Sequence, residues 1–291
     1  MDLSNGKRLI AATPTPFDDN DRIDFAYVEK HLQFLAERGV SGVVPSGTNG
    51  EAASMTLGER LSLFEAAVKS KGELQIVAGT GSACLADTIE LTRSAERIGT
   101  DAAMVVPPFY FKHPTLEGLA DYFSAVLSST DLPIFLYNIP FLSGIEVTDE
   151  LVERLAEFPN LIGIKDSSGD RERTKRYIAK FPHLQIFPGD DRAIEAMSQS
   201  DCTGFVTGTA NAFPELVSQT IAECERGTGH QLQERLTKLT RIFDTYPLFA
   251  VNKCCLHLRG FPRTHVRPPL VDMTNEQLVQ LESDLKSEDY L

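Results

Sequence analysis

Apolar residues along this chain follow two rhythms. Short continuous runs rich in Val and Ile recur as RLIAA, VSGVVP, LQIVAGT, DAAMVVP, LPIFLYN, LIGIKD, LQIFPGD and CTGFVTG, starting near residues 8, 40, 74, 101, 132, 161, 184 and 202. Runs without polar alternation predict strands covered on both faces, the condition of a parallel sheet. Between the runs, apolar residues return at helical spacing. Phe25, Val28, Leu32 and Leu35 share one helix face, and so do Leu57, Leu61, Phe64 and Val68. Thr56 and Glu59 stand at capping-box spacing where the second of these helices begins. Strand–helix units repeating every ~20–35 residues predict an α/β fold, a (β/α)8 TIM barrel. The rival, a doubly wound sheet, would use Gly79 and Gly81 of GTGSACLAD, but Cys84 stands where a dinucleotide fingerprint needs its third glycine. Past the eighth run, FPELVSQTIAECER, HQLQERLTKLTRIFD and NEQLVQLESDLKS read as helices with no low-complexity linker before them. The expected division is a barrel over residues 1–210 and a C-terminal helical annex over 211–291 packed on it.

Composition narrows the function classes. A chain of 291 residues with 42% apolar and 24% charged residues suits one large globular core. The net charge of −13 (28 Lys and Arg against 41 Asp and Glu) argues against nucleic acid or an acidic membrane surface as partner. MDLSNGKRLIAATPTPF contains no long apolar segment of the signal-peptide kind, and no stretch is apolar enough for a membrane span. Cysteines 84, 202, 224, 254 and 255 form no C-x-x-C pair, which suits reduced thiols in a cytoplasmic protein. The histidines show no H-x-H or H-E-x-x-H spacing, so no metal site is expected.

In a barrel, reactive groups sit at the C-terminal ends of strands and on the loops that follow. The sixth run ends in IKDSSGD, so an apolar strand terminates on Lys165. A lysine there either snorkels to water or serves as a nucleophile, because desolvation at a barrel mouth favours the neutral amine that attacks carbonyls. Tyr137 closes the fifth run in FLYN. Its ring can pack, or its hydroxyl can move protons for a neighbouring amine. SGTNGE after the second run sets Thr48 and Asn49 between Gly47 and Gly50. That is a plain turn, or a nest of backbone N–H groups suited to a carboxylate; a phosphate cradle lacks its lysine at Walker spacing.

GIKDSSGD around Lys165, YNIP at the end of the fifth strand and GTNGE after the second together resemble the dihydrodipicolinate synthase / N-acetylneuraminate lyase superfamily. The likeness runs from TPTPFDDNDRID to RPPL, nearly the whole chain. It implies a class I pyruvate-dependent aldolase or lyase. Lys165 would carry the Schiff base and Tyr137 would transfer protons. Thr48 would relay to that tyrosine, and Asn49 with its loop amides would hold the substrate carboxylate. Tyr110 in PPFYFK matches a tyrosine lent across a subunit interface, and Val206 a backbone position that contacts pyruvate. Gly189 and Asp191 match the substrate-binding end of strand seven. No metal or organic cofactor is implied, since the imine on Lys165 is itself the electron sink. The implied assembly is a homotetramer, a dimer of dimers.

Two positions depart from familiar members. Leu142 in YNIPFLSG stands where dihydrodipicolinate synthases carry an arginine for the carboxylate of aspartate semialdehyde, and leucine cannot form that bidentate pair. Arg192 follows Gly189-Asp190-Asp191 where N-acetylneuraminate lyases place a glutamate. It either faces the pocket and favours an anionic tail, or points to solvent or pairs with Asp190. Together with Asn49, these residues favour cleavage of a 4-hydroxy-2-oxo acid, such as a 2-keto-3-deoxy sugar acid, into pyruvate and an aldehyde. 4-Hydroxy-tetrahydrodipicolinate synthesis, N-acetylneuraminate cleavage and sugar-acid dehydration share the same imine. Outside this chemistry stand a metal-dependent aldolase, which needs clustered His and acidic ligands, and a non-catalytic keto-acid binder.

Overall fold

Each apolar run contains a strand. The structure, a computed structural model, describes residues 6–291. Among these residues the strands are β1 (Arg8–Ala11), β2 (Gly42–Val43), β3 (Gln75–Gly79), β4 (Ala102–Val105), β5 (Ile134–Asn138), β6 (Leu161–Asp166), β7 (Gln185–Pro188) and β8 (Gly204–Thr207). They form one 8-stranded parallel sheet in the order β7-β6-β5-β4-β3-β2-β1-β8. At the remaining seam the Thr203 N–H donates to the Ile186 carbonyl at 2.9 Å, which leaves a nearly closed TIM barrel.

The helices between and after the strands are α1 (Phe25–Ala36), α2 (Leu57–Lys69), α3 (Leu85–Ile98), α4 (Leu116–Leu127), α5 (Pro140–Ser143), α6 (Asp149–Leu155), α7 (Arg171–Lys180), α8 (Ile194–Ser198), α9 (Pro214–Glu225), α10 (His230–Phe243), α11 (Leu248–Leu258) and α12 (Asn275–Ser287). Their starts are chemically marked. The capping box expected at α2 is present, with the Thr56 side chain accepting from the Glu59 N–H and Glu59 accepting from the Thr56 N–H. Asp24 caps α1, and Asp170 caps α7 by accepting from Glu172 and Arg173. On α1 the buried stripe is Tyr27, Val28, His31, Leu32 and Leu35. Phe25, expected on that face, is 44% exposed, because the stripe is widened toward Tyr27 and His31 and leaves the first-turn ring at its far edge.

Strand side chains alternate between two cores. Ile10, Ala12, Val44, Val77, Met104, Phe135, Phe187 and Val206 fill the barrel interior. Phe135 and Phe187 meet edge to face at 5.6 Å, and Gly163 has no room for a side chain: a Cβ there would stand 2.2 Å from the Gln185 carbonyl oxygen of β7 and 2.7 Å from the Phe135 ring. Each fully buried Phe contributes about 1.5–3 kcal/mol. Outward residues pack under the helices. Helices α10 to α12 supply Leu239, Val251, Cys255 and Leu281 to the same hydrophobic cluster as Leu9 of β1 and Phe205 of β8. No helix of the described residues is long and apolar enough to cross a membrane.

Candidate active site

Ladder register brings the chemistry together. Tyr137 of β5 pairs with Lys165 of β6, and Lys165 with Phe187 of β7, so all three occupy one row across the sheet. The next residue of β6, Asp166, faces the other way. Its carboxylate accepts from Asn138 Nδ2 at 2.9 Å, Thr174 Oγ1 at 2.7 Å and the Ser168 N–H at 3.1 Å. These bonds lock the end of β6 and leave Asp166 unavailable to neutralise Lys165.

Lys165 is 5% exposed, so it does not snorkel to bulk water. Its Nζ lies 4.0 Å from the centroid of the Tyr137 ring, a cation–π geometry. Tyr137 is itself buried, and Thr48 Oγ1 lies 3.4 Å from its hydroxyl. The amine, the phenol and the threonine hydroxyl therefore form a connected set. Asn49 Nδ2 donates to the Ala12 carbonyl at 3.3 Å, so its amide is turned toward the end of β1. Gly208 lies against it: an added Cβ would stand 2.6 Å from Asn49 Nδ2.

These residues line a cavity of about 370 Å³ together with Val206, Gly189, Asp191, Leu142 and Asn252. Gly189 is required by space. A Cβ there would lie 2.0 Å from Ser167 Oγ and 3.3 Å from Lys165 Cε. Asp191 is half-buried. Its Oδ2 accepts from Thr209 Oγ1 at 2.8 Å, while its Oδ1 is enclosed without a hydrogen-bond partner among the described residues. Burial pushes its carboxyl up to about 6; the Thr209 hydrogen bond pulls the other way, and the charge of Asp190 adds to the rise.

Arg192 lines the cavity, but its guanidinium is held by Asp244, the residue just past α10, and by Thr240 Oγ1 of α10 at 3.1 Å. Its charge is thus met by Asp244, where the sequence alone leaves the pocket, solvent or Asp190 open. Leu142 is 41% exposed and lies between this cavity and a second, more apolar one of about 580 Å³. Tyr110 is 75% exposed on the loop after β4, edge-on to Phe111, and is not brought to Tyr137 within the chain.

Sequence reading missed what holds the GTNGE loop. Glu51 adopts a left-handed backbone (φ 56°), and its carboxylate receives Lys253 Nζ and the Arg267 N–H. The Glu51 and Lys253 side chains are 0% and 1% exposed. The available signal was a buried-helix pattern, LFAVNKCCLHL, that carries a lysine among mostly apolar residues. Asn252, beside it, lines the Lys165 cavity and was missed too.

The model of the Dihydrodipicolinate synthetase family matches residues 5–288. The chain belongs to this family. An uncharacterized DapA-like lyase of Chloroflexus aurantiacus is 35% identical over 96% of each chain. 4-Hydroxy-tetrahydrodipicolinate synthase 1 of Halalkalibacterium halodurans is 34% identical, covering 94% of this chain and 95% of that one. Among solved structures, the dihydrodipicolinate synthase of Acinetobacter baumannii complexed with pyruvate superposes with a TM-score of 0.91 at 30% identity, over 98% of this chain and 99% of that one. The family's members are lyases, and so is this protein.

Proposed function

We propose that the protein is a class I lyase that joins pyruvate and an aldehyde, or cleaves the product, through an imine on Lys165. One observation carries this reading: a buried amine without a carboxylate partner among the described residues, 4.0 Å from the ring of a tyrosine whose hydroxyl is in turn near Thr48. The Lys165 amine adds to the C2 carbonyl of the 2-oxo acid, and the resulting carbinolamine loses water to give the iminium. Tyr137, relayed by Thr48, supplies and removes the protons of these steps. Loss of a C3 proton gives the enamine, which attacks the aldehyde carbon; the new alkoxide takes a proton, and water hydrolyses the product imine to free Lys165. Cleavage runs the same steps backwards, with electrons of the broken C–C bond received by the iminium nitrogen. Asn49 and the amides of its loop hold the substrate carboxylate, beside the Val206 backbone. The A. baumannii relative, complexed with pyruvate, supports the choice of 2-oxo acid.

The preferred substrate is a 4-hydroxy-2-oxo acid such as a 2-keto-3-deoxy sugar acid. Leu142 supplies no cation, and Asp244 already engages Arg192, so the pocket gains little attraction for a second carboxylate. The second reading is 4-hydroxy-tetrahydrodipicolinate synthesis, the activity for which the H. halodurans relative is named. Exposure of Tyr110 supports its use by a neighbouring subunit in a homotetramer. The test begins with borohydride and pyruvate: a reduced adduct on Lys165, absent in Lys165→Arg, is expected. An untrapped wild type overturns the imine. Direct competition then decides the acceptor, and faster condensation with aspartate semialdehyde than cleavage of any 2-keto-3-deoxy acid overturns the substrate choice.

A further inference from the structure

The Ala12 carbonyl, just past the end of β1, receives two side-chain amides. One is Asn49 Nδ2 at 3.3 Å, from the loop after β2. The other is Asn211 Nδ2 at 2.8 Å, from the short helical turn Thr209–Asn211 that follows β8. The same Asn211 nitrogen donates to the Gly208 carbonyl at 2.8 Å. One amide group therefore spans from the β8 turn to β1 and uses both of its N–H bonds to do so. On the other side of the turn, His31 Nε2 of α1 donates to the Asn211 backbone carbonyl at 3.2 Å. Burial lowers the His31 pKa to about 4, so the ring is neutral at pH 7 and brings no charge to this clamp.

Asn211 is 0% exposed, and its Oδ1 is enclosed with no hydrogen-bond partner among the described residues. A buried acceptor left unsatisfied destabilises the fold, and a leucine of similar size would avoid it. The position thus needs the two donors more than it needs a satisfied oxygen. Holding the turn does not explain both donors. The Gly208 carbonyl already accepts from the Asn211 N–H at 3.1 Å, so the turn closes without the side chain. The bond the turn does not need is the one to Ala12, 199 residues away in the chain. Ala12 and Gly208 flank the Asn49 amide, since a Cβ at Gly208 would stand 2.6 Å from Asn49 Nδ2.

We infer that Asn211 is a positioning residue: its carboxamide ties the turn after β8 to the end of β1 and so fixes Asn49 where the substrate carboxylate docks. This rests on the Lys165 imine and on Asn49 as the carboxylate holder, and it adds the strut behind that holder. Asn211 itself does not line the Lys165 cavity.

The test compares borohydride trapping of Lys165 by pyruvate and by acetone, a ketone that forms an imine but has no carboxylate. Second-order trapping rates are measured in the wild type, Asn211→Leu and Asn211→Ser. A serine hydroxyl still bonds the Gly208 carbonyl three residues back but is too short to reach β1. Both variants are expected to lower the pyruvate-to-acetone ratio by roughly 10- to 100-fold, the scale of a misplaced binding group, with the acetone rate little changed. The ratio cancels general damage to the amine or the fold, and Asn211→Ser decides alone if the leucine variant does not fold. An unchanged ratio in Asn211→Ser, a parallel fall of both rates included, overturns this inference and leaves the imine intact. A wild type that does not trap pyruvate overturns the imine, and the inference with it.

Discussion

Replacing Lys253 with methionine is expected to loosen the loop that carries Thr48 and Asn49. Lys253 Nζ donates to Glu51 Oε1 and to the His265 carbonyl, and lies 4.5 Å from the centroid of the Phe17 ring. Burial lowers its pKa although Glu51 is beside it, so desolvation is the larger effect on this lysine. The pair is therefore worth little relative to apolar residues of the same shape, yet breaking it from one side strands a carboxylate. Glu51 would keep the Arg267 N–H at 2.9 Å as its remaining partner, with its side chain 0% exposed. Removing one member of a buried pair costs about 3–5 kcal/mol. With an unfolding entropy of roughly 2.1 cal/mol/K per residue, that loss lowers Tm by about 5–8 °C for a chain of this length. Thermal unfolding followed by circular dichroism, at matched protein concentration, measures it. Lys253→Met with Glu51→Gln should recover more than half of the loss, because the stranded charge is gone. A single variant within ~1 kcal/mol of wild type, or a double variant no better than the single, would refute the reasoning.

Tyr137→Phe should lower kcat by roughly 10²–10⁴ and slow borohydride trapping with pyruvate, the scale of a positioned acid–base group; an unchanged kcat assigns proton transfer elsewhere. Gly189→Ala should slow trapping by about 10², since its Cβ meets Ser167 Oγ at 2.0 Å and Lys165 Cε at 3.3 Å and must displace the amine; trapping at the wild-type rate would show that Lys165 has room to spare. For Asp191 the folded carboxyl sits at about 6 against an ordinary 3.8, so between those values the folded protein keeps a proton that the unfolded chain has released. Stability then falls as pH rises through that window, by about 3 kcal/mol across the whole of it. Chemical denaturation from pH 4 to 7.5 should show this fall in the wild type and its reduction in Asp191→Asn; parallel pH profiles would contradict the assigned cause.

The barrel was legible because parallel strands buried on both faces leave continuous apolar runs, and nothing else in the chain imitates them at that spacing. Lys165 was legible because a charge ending such a run has to be explained. What escaped depended on contacts across long stretches of chain. Arg192 meets Asp244, 52 residues away, and Glu51 meets Lys253, 202 residues away. No local pattern chooses among the carboxylates available to an arginine. The misplacement of Phe25 has a different origin: the spacing of apolar residues fixes a stripe to within about one side chain, and the barrel wall decides which edge is covered.

This division bears on how far likeness to relatives carries function. Lys165, Tyr137 and Val206 stand on strands, where hydrogen-bond register sets their positions. Any sequence that folds the barrel with these residues presents an amine beside a phenol in the same row. Leu142, Arg192 and Asn252 stand outside the ladder, on a short helix, the turn after β7 and α11. Their substitution leaves strand pairing untouched. Imine chemistry and acceptor choice can therefore diverge independently. A family match over residues 5–288 supports the lyase chemistry with much greater force than it supports any one aldehyde. The acceptor has to be argued from the side chains at the mouth, where Leu142 is apolar and Arg192 is already held by Asp244.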